Sequence, residues 1–391
     1  MREVVIADGV RTPIAKSGKN SWFVNIRADD LGAICLNAIV KRNGINPAII
    51  EDVVWGNTSS SILDQGRNVG RMTVLISGLP LTIPGCTVDR YCASSLQAIQ
   101  YTVTSIMAGW GDCMIAGGVQ HMTHIPMGYM KDDNPRLGNY IDIRTTSMGW
   151  TAEFIARDKK ISRLDQDEWA LGSHQKAARA TKEGKFKNEI VPVEAEVPQK
   201  DGSKLRMVVN RDQGIREDLD MEKLAKLEPV FLKDEAATVT AGNSSQMNDA
   251  AAAVLIMTKE KAKEYGIRPR LKMLSHAVIA TDPKYTMLGP VYSIPIALKR
   301  AGLTKEDIDV WEINEAFAAQ IVACVRELDL PVERVNMWGS GISLGHPLGA
   351  TGARITTTFM NIMDDIGARY GVVSMCNAFG QGNAAVFERL N

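Results

Sequence analysis

The sequence predicts an α/β fold made of two similar halves, with a long segment inserted into the first. Three observations predict it. Apolar strand-like runs alternate with helical stretches near both ends of the chain, the signature of α/β layers with mainly parallel sheets. Two stretches echo each other: LNAIVKRNGINPAIIEDVVWGN at 36 to 57 and IPIALKRAGLTKEDIDVWEIN at 294 to 314. Between them, residues 120 to 245 differ in character, being rich in Met, Asp, Lys and Arg with short strand-like pieces such as IVPVEAEV.

Taken in chain order, MREVVIADGV reads as a buried strand and lacks the basic-then-apolar pattern of a signal peptide. The first echo reads as an amphipathic helix closing on Lys41-Arg42 and stopped by Gly44, then a β-rich run ending at Trp55. After Cys92 comes the small-residue helix ASSLQAIQYTVTSIMAGW and the strand CMIAGGV. The chain returns from the insertion at ATVTAGNSSQMNDAAAAVLIMT. The second echo repeats the plan, with Lys299-Arg300, Gly302 and Trp311. After His346 comes LGATGARITTTFMNIMDDI and the strand YGVVSMC. Trp55 and Trp311 lie 256 positions apart, and Cys92 and His346 lie 254 apart. An offset held across two separate units points to duplication. The expected division is 1–119 with 246–268, the insertion 120–245, and 269–391.

Composition narrows the function. The chain has 391 residues, enough for more than one domain, and 45% are hydrophobic and 23% charged, as in a soluble globular protein. Lys plus Arg and Asp plus Glu both number 45, so no overall field attracts nucleic acid or an anionic membrane. No apolar run is long enough to span a bilayer. The six cysteines, 35, 86, 92, 113, 324 and 376, show no CxxC pairing, which suits a cytoplasmic enzyme with free thiols.

Four residues could carry chemistry. Cys92 opens a helix whose positive end favours thiolate, and Ala93, Ser94 and Ser95 leave room for a substrate; a buried structural cysteine is the plain alternative. His346, in GSGISLGHPLGATGAR, is the one histidine in a glycine-rich loop, although a satisfied core histidine would look the same. Cys376 stands where an apolar strand runs into a loop containing Gly380 and Gly382; strand ends gather active sites in α/β folds, but they also hold inert buried thiols. Asn314, in WEINEAFAAQ, is either a helix N-cap or a polar group that holds water against developing charge.

These motifs, in this order, resemble the thiolase superfamily over nearly the whole chain. NEAFAAQ (314 to 320), SLGHPLGATGAR (343 to 354), GQGNAAVFERL (380 to 390) and TVTAGNSSQMND (238 to 249) carry the resemblance. HMTHIPM (121 to 127), MGWTAEFIAR (148 to 157) and FKNEIVP (186 to 192) are most similar to 3-ketoacyl-CoA thiolases of fatty-acid β-oxidation. The resemblance implies a five-layered αβαβα fold, an inserted loop domain that binds coenzyme A, and a homodimer or homotetramer, with a β-oxidation subunit as a further partner. It implies that Cys92 is acylated, that His346 activates it, and that Cys376 moves a proton at the α-carbon. Asn314 and His346 would position a water in one oxyanion hole, and the N–H groups of Cys92 and Ala378 would form a second. Phe231, Ala241 and Ser245 match positions that line coenzyme A, which is a substrate; no metal or other cofactor is implied.

The chain departs from the family pattern at Asp89 (usually Asn), Ser95 (usually Gly), Trp338-Gly339-Ser340 (usually Asn-Gly-Gly) and Ala250 (usually Gly). It departs again at Thr286 (usually Met), Asn377 (usually aliphatic) and Ala378 (usually Gly). The expected activity is CoA-dependent cleavage of 3-ketoacyl-CoA, with an acetoacetyl-CoA-specific enzyme as alternative. A decarboxylating ketoacyl synthase would typically pair one Cys with two His, or with His and Asn; a non-catalytic acyl-CoA or lipid carrier would not need these four residues. The bulk of Trp338 and Phe379 near His346 and Cys376 raises the question of room for a long acyl tail.

Overall fold

The computed structural model describes residues 2–59, 62–129, 132–199 and 201–390. The first half runs β1 (Val4–Arg11), β2 (Ala15–Lys16), α1 (Ala28–Asn43), β3 (Val53–Gly56), α2 (Val69–Ser77), β4 (Gly85–Val88), α3 (Ser94–Met107) and β5 (Cys113–His121). The middle segment holds α4 (Met148–Asp158), α5 (Arg163–Lys182), a hairpin of β6 (Val193–Pro198) and β7 (Lys204–Val209), and α6 (Met221–Ala225). The chain returns in β8 (Asn248–Thr258) and α7 (Lys259–Glu264). The second half is β9 (Leu271–Ala280), α8 (Gly289–Ala301), β10 (Val310–Ile313), α9 (Ala318–Leu328), α10 (Thr351–Asp365), β11 (Tyr370–Asn377) and β12 (Gln381–Arg389).

The strands follow the order β10-β11-β12-β9-β1-β8-β5-β3-β4, with the short β2 beside β8. Between β1 and β9 only Ile6 and Leu271 pair, so the sheet is two half-sheets meeting at a seam. β1 and β8 are buried along their whole length because helices cover both faces. Outside the first half-sheet lie α1 and α2, packed through Leu36, Ile39 and Trp55. Between the half-sheets lie α3 and α10, packed through Leu96, Ile99, Phe359 and Met360. Outside the second lie α8 and α9, packed through Ile294, Trp311 and Ile321. The result is five layers of helix and sheet.

The two halves match in detail. Trp55 on β3 and Trp311 on β10 are both fully buried, one under each outer helix layer. α1 ends at Gly44 and α8 at Gly302, both left-handed (φ 60° and 70°), where a side chain would be strained.

The expectation of mainly parallel sheets needs correction. Among the described strands, parallel pairing is confined to β3/β4, β3/β5 and β10/β11, where helices supply the crossovers. The pairs β1/β8, β5/β8, β9/β12 and β11/β12 are antiparallel. A three-residue turn forces the last of these, and the return of the chain in β8 creates others. The middle segment leaves from β5 and returns in β8, which pair from Cys113↔Met257 to His121↔Asp249. Its α4 and α5 lie against α9. Among the described residues no helix is long and apolar enough to cross a membrane.

Candidate active site

Cys92 lies between β4 and α3, two residues before the first helical residue, Ser94. The turn that delivers it is tied locally. Tyr91 N–H donates to Asp89 Oδ1 (2.8 Å), Arg90 N–H to Ser94 Oγ (2.9 Å), and Ser94 Oγ to Tyr91 O (2.6 Å). Tyr91 takes a positive φ of 48°. The backbone N–H groups of Cys92 and Ala378 both act on the Cys92 sulfur in favour of its thiolate. Burial outweighs the two N–H donors and, with the Asp89 charge adding to it, pushes the Cys92 thiol up to about 12. The resting sulfur is a neutral thiol.

His346 sits in the loop before α10. Its backbone N–H donates to Asn248 Oδ1 (2.8 Å). Its Nδ1 lies 2.7 Å from Thr351 Oγ1, whose own proton goes to Pro347 O (2.9 Å). The hydroxyl can therefore only accept from the ring, so Nδ1 carries the proton and Nε2 keeps its lone pair. Asn314 Nδ2 lies 3.3 Å from that Nε2. Burial, with Arg354 nearby, pushes His346 down to about 3, so the imidazole is neutral.

Asn314 follows β10 directly, and its backbone N–H donates to Ser374 O (3.0 Å). It is no N-cap: α9 starts only at Ala318, with Phe317 before it. Its buried Oδ1 has no partner among the described residues. Cys376 is buried near the end of β11, paired with Gly382, which belongs to β12 and not to the turn. Burial first, then Cys92 and Cys324, raise its thiol well above the ordinary value.

Bare backbone lets these pieces meet. A Cβ on Gly118 of β5 would stand 2.3 Å from Gly349 O, and one on Gly56 of β3 would stand 2.3 Å from Ser95 N. The loop after His346 and the start of the Cys92 helix thus rest directly on the sheet. Ser95, a departure from the family, accepts Ala353 N–H on Oγ (3.0 Å) and so ties α3 to α10. Thr286, another departure, accepts Gly380 N–H on Oγ1 (2.8 Å) and holds the β11–β12 turn. Nothing in the structure explains Asn377, whose buried side-chain N and O are both without partners among the described residues.

Cys92, His346, Cys376 and Ala378 open on one cavity of about 570 Å³. Phe231, Ala241 and Ser245 line the same cavity. Phe231 packs against Phe317 (5.7 Å between centroids) and over Gly149, and Ser245 N–H donates to Ala316 O (3.0 Å). Trp338 and Phe379 do not line it. Trp338 is buried against Phe186, and Phe379 meets Tyr91. Sequence reasoning missed Thr351 and Asn248, although both lie inside the quoted motifs. It also missed the five methionines of the wall, Met122, Met127, Met148, Met247 and Met287, which carry no chemical signature of their own.

The family model described as "Thiolase, N-terminal domain" matches residues 4–260, and "Thiolase, C-terminal domain" matches 267–389. The chain is 45% identical to a 3-ketoacyl-CoA thiolase of Vibrio vulnificus (strain CMCP6) over 394 residues, covering 100% of both. It is 44% identical to one of Marinomonas sp. (strain MWYL1), covering 99% of this chain and 98% of the relative. The crystal structure of the Bacillus anthracis acetyl-CoA acetyltransferase superposes with a TM-score of 0.89 at 36% identity, covering 100% and 99%.

Proposed function

This chain belongs to the thiolase family, and from that premise we propose that it cleaves 3-ketoacyl-CoA with coenzyme A through an acyl group on Cys92. The observation that carries this reading is the convergence of Cys92, His346 and Cys376 on one cavity whose wall includes Phe231, Ala241 and Ser245.

The chemistry runs in two halves. His346 Nε2 takes the Cys92 proton as the sulfur attacks the 3-keto carbon. Because thiol and imidazole both rest neutral, that transfer is coupled to carbon–sulfur bond formation. The bond between the second and third carbons breaks, its electron pair becomes the enolate of acetyl-CoA, and Cys376 protonates that carbon. Asn314 and His346 hold a water against the enolate oxygen; the unpartnered Oδ1 of Asn314 suits such a water. In the second half the Cys376 thiolate takes the proton of incoming coenzyme A, whose sulfur attacks the acyl-Cys92. The N–H groups of Cys92 and Ala378 stabilise that oxyanion. Cys92 leaves and recovers its proton from His346. The segment 120–245 acts as the CoA-binding insertion, and coenzyme A is a substrate, with no further cofactor.

Acyl chains longer than four carbons suit the cavity. The two bulky rings near the catalytic loops stay out of it, and flexible methionine side chains adapt to tails of different length. We also read the chain as a cytoplasmic homodimer or homotetramer. Its six free thiols suit a reducing compartment. Leu75, Ile76 and Leu81 stand exposed on and after α2, which packs on the sheet's terminal strand β4, a surface apt for burial against a second copy.

The test is kcat/KM for four-, eight- and twelve-carbon 3-ketoacyl-CoAs. Comparable values support the reading. A preference for the four-carbon substrate above about a hundredfold, near 2.7 kcal/mol in transition-state binding, makes the enzyme acetoacetyl-CoA-specific.

A further inference from the structure

Two aromatic residues beside the site adopt a backbone conformation that side chains resist. Tyr91 has φ 48° and Phe379 has φ 61°. Such strain persists only where surrounding structure enforces it, and it gathers at functional sites. Each residue adjoins one of the two N–H groups that meet at the Cys92 sulfur: Tyr91 precedes Cys92, and Phe379 follows Ala378. Their rings touch each other, with centroids 5.2 Å apart and planes at 42°. Tyr91 is 39% exposed, so the contact is not core filling, and neither ring lines the cavity. A polar bridge spans the same two turns. Arg90 Nη1 donates to Gln381 Oε1 (3.0 Å), and Gln381 Nε2 donates to Ala378 O (3.2 Å).

Resting on the function proposed above, the geometry points to Tyr91 and Phe379 as a pair of positioning residues. Their ring contact clamps the turn carrying Cys92 to the turn carrying Ala378 and keeps the two N–H donors convergent. The donors come from opposite halves of the chain, so no single element fixes their separation. A preorganised pair of donors is effective only while both reach the position the oxyanion will occupy. The rings act through backbone and touch no substrate.

The experiment compares Phe379→Gly, Tyr91→Ala, the double variant Tyr91→Ala/Phe379→Gly and the conservative Tyr91→Phe. Glycine accepts φ 61° without strain, so Phe379→Gly should melt no lower than the unsubstituted enzyme. Its kcat should fall about tenfold while both KM values stay within about twofold, as expected for lost orientation. The double variant should lose no more than the worse single variant, and Tyr91→Phe should keep full turnover. Independently of turnover, the pH profile of Cys92 alkylation by iodoacetamide should move to higher pH in Phe379→Gly, because the sulfur loses the Ala378 donor. Full kcat in Phe379→Gly, losses that multiply in the double variant, a loss carried by KM, or an unmoved alkylation profile would each overturn the clamp. Absence of ketoacyl-CoA cleavage by the unsubstituted enzyme would instead overturn the functional reading, and the alkylation profile would still decide the clamp.

Discussion

His346 is directed by Thr351, which accepts from Nδ1 and leaves Nε2 to face Asn314. Thr351→Val keeps the shape and removes the acceptor. The ring then has no fixed tautomer, and kcat should fall roughly tenfold to a hundredfold with little change in melting temperature; unchanged kcat would show that Thr351 is not the orienting partner. Asp89 works in the opposite sense, because its charge makes the Cys92 thiolate harder to form. Asp89→Asn keeps an oxygen to accept Tyr91 N–H and removes the charge. Alkylation of Cys92 at mildly alkaline pH should then speed up by about threefold or more; a slower reaction would contradict this. At this scale the sequence was informative where a motif carries an unusual residue type. Cys92, His346 and Cys376 stood out among small residues and glycines. Thr351 and Asn248 did not, because a threonine in a helix start and an asparagine in a strand show their function only through the partner they meet. The burial that raises the Cys92 thiol was not legible either, because a helix N-terminus is visible in sequence whereas desolvation is not.

Elements bring these side chains together by close approach of bare backbone. Gly118→Ala would drive a methyl group into Gly349 O, three residues beyond His346. Overpacking against main chain cannot be relieved by a rotamer change, so the variant should lose about 1–3 kcal/mol of stability in urea unfolding. Its kcat should drop as well, since the His346 loop must shift; unaltered stability would mean that this loop is not seated on the sheet as described. The duplicated elements were legible because Lys-Arg, Gly and Trp recur at nearly the same offset, 258 positions for the first two and 256 for Trp, and each has a structural use as helix end, left-handed stop and core anchor. Strand direction was not legible. β8 and β12 are apolar runs like any buried strand, and only the length and shape of their connections decide that they pair antiparallel.

For the molecule as a whole, acid should be destabilising above the range where carboxylates titrate. Burial holds His174 at about 4 and His346 at about 3, and it lowers His121 and His276 as well. His124, paired with Asp64, is raised and opposes them. A histidine depressed in the fold contributes stability that is complete above its unfolded value near 6.5 and is lost as pH falls toward the folded value. Between about pH 6.5 and 5 the unfolded chain therefore binds more protons, and each depressed histidine removes up to about 1.4 kcal/mol per pH unit. His174→Gln should flatten that slope by about one proton's worth, and an identical slope would remove His174 from the explanation.

Acylation of Cys92 is the claim on which the rest depends. The direct measurement is to mix the enzyme with an eight-carbon 3-ketoacyl-CoA, quench, and map the adduct by peptide mass spectrometry, with and without a chase of coenzyme A. The structure leads us to expect a six-carbon acyl group on the peptide containing Cys92, lost on the chase as six-carbon acyl-CoA appears. An adduct confined to another cysteine, or cleavage with no acylated Cys92 at any time, would contradict it.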